Sequence, residues 1–256
     1  MTHTQAVFDT ETLLGFVKGF GEGVDDLRCT ISDMNMKGVV DVASHYFEKK
    51  ISISHAKSLQ YNYTPGIVCI PDVHKLAAFL KSCDDNLTFI RHVGNMLTVS
   101  NGNQRFSTPT HDNVLSYQTV DRATTAINQA KKNSWKKLGR AELQFHATAT
   151  MSDLQGLGSM TKVVAKDSPV RIKMEDSQMV ITAGSKRGAT MSRTIEIDEL
   201  TQGVTAETVF ASQLPKLLSI MPSGEVTLRM GHENALIVEH NDLAALLILK
   251  HQEGME

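Results

Sequence analysis

Apolar positions along this chain switch repeatedly between a helical and a strand rhythm. Leu13, Phe16, Val17 and Phe20 fall at i, i+3, i+4 and i+7, the stripe of an amphipathic helix over residues 10–20. Gly21 and Gly23 end it, as glycine does past a helix C-terminus. Val73, Leu76, Ala77 and Leu80 mark a second helix with Pro71 in its first turn, where a missing N–H costs little. Leu154, Leu157, Thr161 and Val164 mark a third, opened by a Thr150…Asp153 capping pair. Leu214, Leu217, Leu218 and Met221 mark a fourth, starting near Ser212.

A short β-type run precedes each helix, at 5–8, 66–70, 143–148 and 208–210. Three alternating runs follow each one. They lie at 27–32, 38–43 and 50–53 after the first helix, and at 86–91, 96–99 and 105–108 after the second, with a hairpin about Gly94-Asn95. After the third they lie at 170–174, 179–182 and 192–197, and after the fourth at 224–230, 235–240 and 243–250.

The pattern is therefore one strand-helix-three-strand unit used four times. Helix starts near Thr10, Pro71, Met151 and Ser212 are 61, 80 and 61 residues apart, which makes two pairs. A single offset of 141 residues lays Leu13 on Leu154, Phe16 on Leu157, Val73 on Leu214, Lys75 on Lys216 and Leu76 on Leu217. One offset that serves two separate helices is the mark of a duplicated domain. The expected fold is α+β: two similar domains, each of two β-α-β-β-β units, with helices on one face and antiparallel sheets on the other. The domains fall at 1–117 and 141–256. The polar, basic segment 118–140 reads as a crossover or linker with one apolar anchor, Trp135.

Composition narrows the function classes. The chain has 256 residues, is 41% hydrophobic and 21% charged, and carries a formal net charge of −2. Such a charge gives no overall pull toward nucleic acid, so a DNA-facing surface needs segregated charge. Three cysteines without metal-type spacing read as reduced core residues of an intracellular protein. The longest apolar run, 243–249, is too short to cross a bilayer, and the N-terminus lacks the basic-then-apolar order of a secretory signal.

At about 100° per residue, Lys18, Lys75 and Lys216 lie opposite their helices' apolar stripes, and Lys81 and Lys162 flank theirs. Each helix thus offers a lysine away from its core. Two readings stand: ordinary solvated faces, or a recurrent basic surface suited to phosphate contact without base readout. Enzyme chemistry finds no foothold. The ten histidines are scattered without ligand spacing. Gly19 to Gly23 closes a helix where a phosphate loop would open one. The pairs Asp25-Asp26 and Asp84-Asp85 fall in loops. No metal and no cofactor is expected.

The four-unit architecture, the Gly38 to His45 segment with its Ser44-His45 pair, the segment 142–197, the final hairpin 235–249 and the acidic tail Glu253 to Glu256 together resemble the DNA polymerase sliding clamps. The likeness is to the proliferating cell nuclear antigen type and its bacteriophage relatives, and as architecture it spans essentially the whole chain. Ala235 and Ile248 stand where cellular clamps favour proline and tyrosine, and the connector is long and basic, which points to a bacteriophage or otherwise divergent member. The resemblance implies a non-enzymatic processivity factor. Clamps close into rings of six domains, so two domains per chain imply a homotrimer around double-stranded DNA. Sequence-independent contact would come from Lys18, Lys75, Lys81, Lys162 and Lys216. DNA polymerase and clamp loader would dock short peptide motifs near Val42, His45, Ala235 and Ile248, positions that ordinary strand packing also explains. The protein would be soluble and intracellular, in the host cytoplasm for a viral member. Two other readings remain: a clamp-fold subunit of a heteromeric or checkpoint-type ring, and an unrelated α+β enzyme with a dispersed site.

Overall fold

A computed structural model describes residues 3–20, 24–32, 35–42, 45–52, 64–110, 114–164, 168–184, 188–201, 204–241 and 243–250. The chain divides into two compact units, Met1–Val42 with Phe47–Val120, and Ala43–Tyr46 with Asp121–Glu256.

In the first half the elements run β1 (His3–Asp9), α1 (Thr10–Lys18), β2 (Leu27–Ser32), β3 (Asn35–Val42), β4 (His45–Ser52), β5 (Gly66–Ile70), α2 (Val73–Lys81), β6 (Leu87–Val93), β7 (Met96–Asn101) and β8 (Gln104–Pro109). The second half opens with α3 (Val114–Lys132), β9 (Lys137–Leu138) and β10 (Ala141–Glu142). It continues with β11 (Phe145–Thr150), α4 (Met151–Gln155), α5 (Leu157–Val164), β12 (Val170–Glu175), β13 (Gln178–Gly184), β14 (Thr190–Glu196), β15 (Asp198–Glu199) and β16 (Ala206–Phe210). It ends with α6 (Leu214–Ser219), β17 (Glu225–Met230), β18 (Leu236–His240) and β19 (Ala244–Ile248). The fold is α+β and its strand pairings are antiparallel.

The duplication is visible in the helix starts: Thr10 and Met151 are 141 residues apart, as are Val73 and Leu214. Each unit exchanges its opening strands. β1 joins the strands of the second repeat in the order β1-β6-β7-β8, while β5 joins those of the first beside β2 and β3. The second unit repeats this, with β11 beside β17-β18-β19 and β16 beside β12-β13-β14. Neither repeat can then close its sheet alone, which is why the repeats come in pairs.

The helices bury the stripes their spacing foretells. Leu13, Phe16, Leu76, Leu154, Leu157, Leu214 and Leu218 are at most 2% exposed. Phe16, Phe20 and Phe47 stack edge to face at 5.1 and 5.3 Å. Gly38 on β3 lets α1 approach this closely, since a Cβ there would come within 2.7 Å of Phe16 and Phe20. Asp9 caps α1 by accepting from the Thr12 amide at 2.8 Å.

Four local expectations differ. Pro71 lies outside α2, which begins at Val73. Its N-cap is Asp72, in a left-handed conformation (φ 54°) and accepting from the Lys75 amide. Thr150 is the N-cap of α4 but forms no side-chain cap bond. The third helix is two pieces, α4 and α5, interrupted at Gly156, a weak helix former. The segment read as a linker holds the longest helix, α3, with Val120, Ile127 and Ala130 buried along one side. Gly21, Gly23 and the acidic tail lie outside the described residues.

Candidate nucleic-acid interface

In each unit the helices lie side by side, α1 with α2 and α6 with α4 and α5. Their apolar stripes are consumed by the core, so the polar faces form a shared surface. On α1 the exposed positions are Glu11, Thr12, Gly15 and Lys18; on α2 they are His74, Lys75, Ala78 and Lys81. On the helices of the second unit they include Ser152, Ser159, Lys216 and Ser219. Lys18, Lys75, Lys81 and Lys216 are therefore all solvent-facing. The side chain of Lys162 lies outside the described residues.

Among these exposed helix positions one carboxylate, Glu11, stands against four lysines. Lys75 also pairs with its own N-cap, Asp72, and that hydrogen bond is the main cause holding the Asp72 carboxyl below its usual range. The pair is open to water, so it holds Lys75 only weakly. Sequence reasoning missed Lys49 on β4. Its Nζ donates to the Gly15 carbonyl at 3.2 Å, in the last turn of α1, where a cation complements the helix dipole, and burial lowers its pKa. On each unit, exposed ammonium groups of helix lysines can contact phosphate oxygens. They present no planar fork for reading bases.

The expected docking positions are interior. His45 is 7% exposed, and its Nδ1 accepts from the Leu249 amide at 3.1 Å. Ala235 leads into β18, and Ile248 on β19 pairs with Leu236; both are 1% exposed. The Val42 side chain lies outside the described residues. As they stand, the three described side chains serve strand packing and offer a partner little surface.

The connector supplies a cluster the sequence only hinted at through Trp135. The Arg229 guanidinium lies 4.5 Å from the centre of the Trp135 ring and bonds Glu239 Oε2 at 2.5 Å. Lys131 Nζ reaches Glu239 Oε1 at 3.3 Å. Burial lowers the Arg229 pKa against the opposing pull of Glu239. His146, whose Nε2 donates to the Leu143 carbonyl at 3.1 Å, has its pKa lowered chiefly by burial.

No family model matches the chain, and no curated protein sequence matches it. Solved structures do match, over 97% of its length. A chain described as a candidate DNA polymerase III beta subunit of Eubacterium rectale superposes with a TM-score of 0.75 at 14% identity, covering 97% of this chain. The DNA polymerase sliding clamp of Pseudomonas aeruginosa gives 0.72 at 12%, and the DNA polymerase III beta subunit of Thermotoga maritima 0.72 at 10%. This chain spans 65% to 67% of the length of those proteins. The chain has the sliding-clamp fold, in a form divergent from these proteins.

Proposed function

We propose that this protein is a DNA polymerase processivity factor that closes into a ring around duplex DNA and performs no chemistry of its own. The observation that carries the reading is the exposed lysines on the helices of each unit, in a chain 97% of which superposes on a DNA polymerase III beta subunit fold. Ring closure needs edges that two copies can share. In the described residues β8 pairs only with β7, and β14 only with β13, so each unit keeps a free outer strand. A free edge is a template for another chain. Pairing β8 of one copy with β14 of the next is a head-to-tail contact, which yields a closed ring when its rotation closes. Three copies make the ring of six domains.

Lys18, Lys75, Lys81, Lys162 and Lys216 then face the DNA backbone, and weak, salt-sensitive contacts leave the ring free to slide. DNA polymerase and a clamp loader are the partners, docking short peptide motifs. Leu249, 45% exposed beside Ile248 and His45, is the accessible apolar contact at the position the resemblance indicates.

Sedimentation of the full chain tests the ring: the expected particle holds three chains of 28.1 kDa. A monomer that persists at micromolar concentrations overturns it. Combining Lys18→Glu, Lys75→Glu and Lys216→Glu should leave that mass unchanged, weaken binding to duplex DNA and flatten its salt dependence. Unchanged DNA binding in that variant means these lysines are solvated faces only.

A further inference from the structure

The duplication lets one unit serve as the template for the other. Asp9 on β1 stands opposite Leu87, and its counterpart Thr150 on β11 stands opposite Glu225, which brings β6 and β17 into register. Four residues along each strand come Arg91 and Arg229, opposite Gln5 and His146. On the neighbouring strand Ser100 pairs with Phe89 as Glu239 pairs with Thr227, so Ser100 occupies the place of Glu239.

In the second unit this face is complete, with Arg229 neutralised by Glu239 and covered by Trp135. In the first unit Arg91 is exposed and has no carboxylate partner among the described residues. A second cation, Arg105 on β8, lies directly across from Ser100. With Phe89, Val93 and Met96 these two arginines line an open cavity of about 490 Å³ that contains no acidic residue. Met96 is 44% exposed at the rim of this cavity. Among the described residues, Arg91 thus has the sheet position of Arg229 without the ring over it and without the carboxylate.

We propose that this cup binds a short extended segment of a partner protein in which an aromatic residue is flanked by acidic residues. The ring lies over the Arg91 guanidinium as Trp135 lies over Arg229, a cation–π contact. A carboxylate takes the place of Glu239 and pairs with Arg91 and Arg105, whose planar forks suit it. The apolar side chains of Val93 and Met96 receive the rest of the segment. The cup belongs to the first unit alone, and the proposal does not depend on the ring or the DNA contact.

The test titrates the full chain into a fluorescein-tagged peptide with a central tryptophan flanked by aspartate and glutamate, read by fluorescence anisotropy. Saturable binding is expected, weakened about tenfold or more by Arg91→Ser. Ser100→Glu supplies the missing carboxylate from within and should abolish binding without lowering the melting temperature. Peptides with the acids changed to amides, or the tryptophan to alanine, should bind at least about tenfold more weakly. No binding up to millimolar protein overturns the proposal. So does equal binding by Arg91→Ser and Ser100→Glu, or equal binding of the control peptides. If either variant changes the sedimenting mass of the protein, the face is a contact between copies and the proposal also fails.

Discussion

Removing the carboxylate of Glu239 should be among the costliest single changes in the second unit. Glu239 serves two cations, Arg229 at 2.5 Å and Lys131 at 3.3 Å. The Arg229 and Glu239 side chains are 13% and 12% exposed, so little water is available to replace the pair. At an effective dielectric of roughly 20, two charges about 4 Å apart interact with about 4 kcal/mol. Breaking a buried pair by removing one partner costs about 3–5 kcal/mol, mostly from the charge left behind. The residual exposure sets Glu239→Gln at the low end, about 3 kcal/mol. Asp72→Asn, at a pair 37% and 74% exposed, should cost far less, because water replaces the lost contact.

The chain has one tryptophan, and it sits against Arg229, so urea unfolding followed by Trp135 fluorescence reads this cluster directly. Adding Arg229→Met to Glu239→Gln should recover most of the loss, because an apolar side chain leaves no unpaired charge. The loss should also resist added salt, since screening acts on exposed charges. A Glu239→Gln cost below about 0.5 kcal/mol, matching that of surface pairs, would refute the reasoning.

Two further outcomes follow from the same structure. Leu76 and Leu217 occupy matched positions on α2 and α6 at 0% and 3% exposure, so Leu76→Ala and Leu217→Ala should each cost about 2–5 kcal/mol in chemical denaturation. A cost near zero at either site would break the equivalence of the two helices. His146 has a native pKa below its unfolded value of about 6.5, so the unfolded chain binds the proton first. Its contribution is neutral above that pH and turns destabilising as pH falls through it toward the native value. His146→Gln should flatten the fall in stability between pH 7 and pH 5, and an unchanged slope would exclude His146 as its source.

The four repeats were legible because each helix keeps a strong apolar stripe, and stripes such as Leu13, Phe16 and Leu76, Leu80 survive any change in surface residues. The exchange of opening strands was not legible: β1 carries the same alternation whether it pairs with its own repeat or with β6. The helix α3 escaped because its described buried residues, Val120, Ile127 and Ala130, lie among polar residues that suit a linker equally well. At the candidate interface, the exposure of Lys18, Lys75, Lys81 and Lys216 follows from helical geometry. The burial of Ala235 and Ile248 follows from sheet packing, which no local pattern encodes. Trp135 stood out as an apolar residue in a basic segment, but its partner Arg229 is 94 residues away and only the folded sheet brings them together.

The gap between a TM-score of 0.75 and an identity of 14% has a physical origin. A core needs apolar volume at the right period, and it tolerates extensive exchange among apolar residues when total volume and patterning hold. Phe16 and Leu157 fill the same place in the two halves, as do Val73 and Leu214. The halves have thus exchanged side chains at matched core places while keeping the pattern. A DNA-facing role asks equally little of identity. An ammonium group needs only a sign and an exposed place on a helix, and Lys75 and Lys216 keep both across the 141-residue offset while most of their neighbours change. The proposed function, encirclement with point-charge contacts, would leave no catalytic motif for sequence comparison to find. Its record lies in the period of the core and in which face each lysine takes.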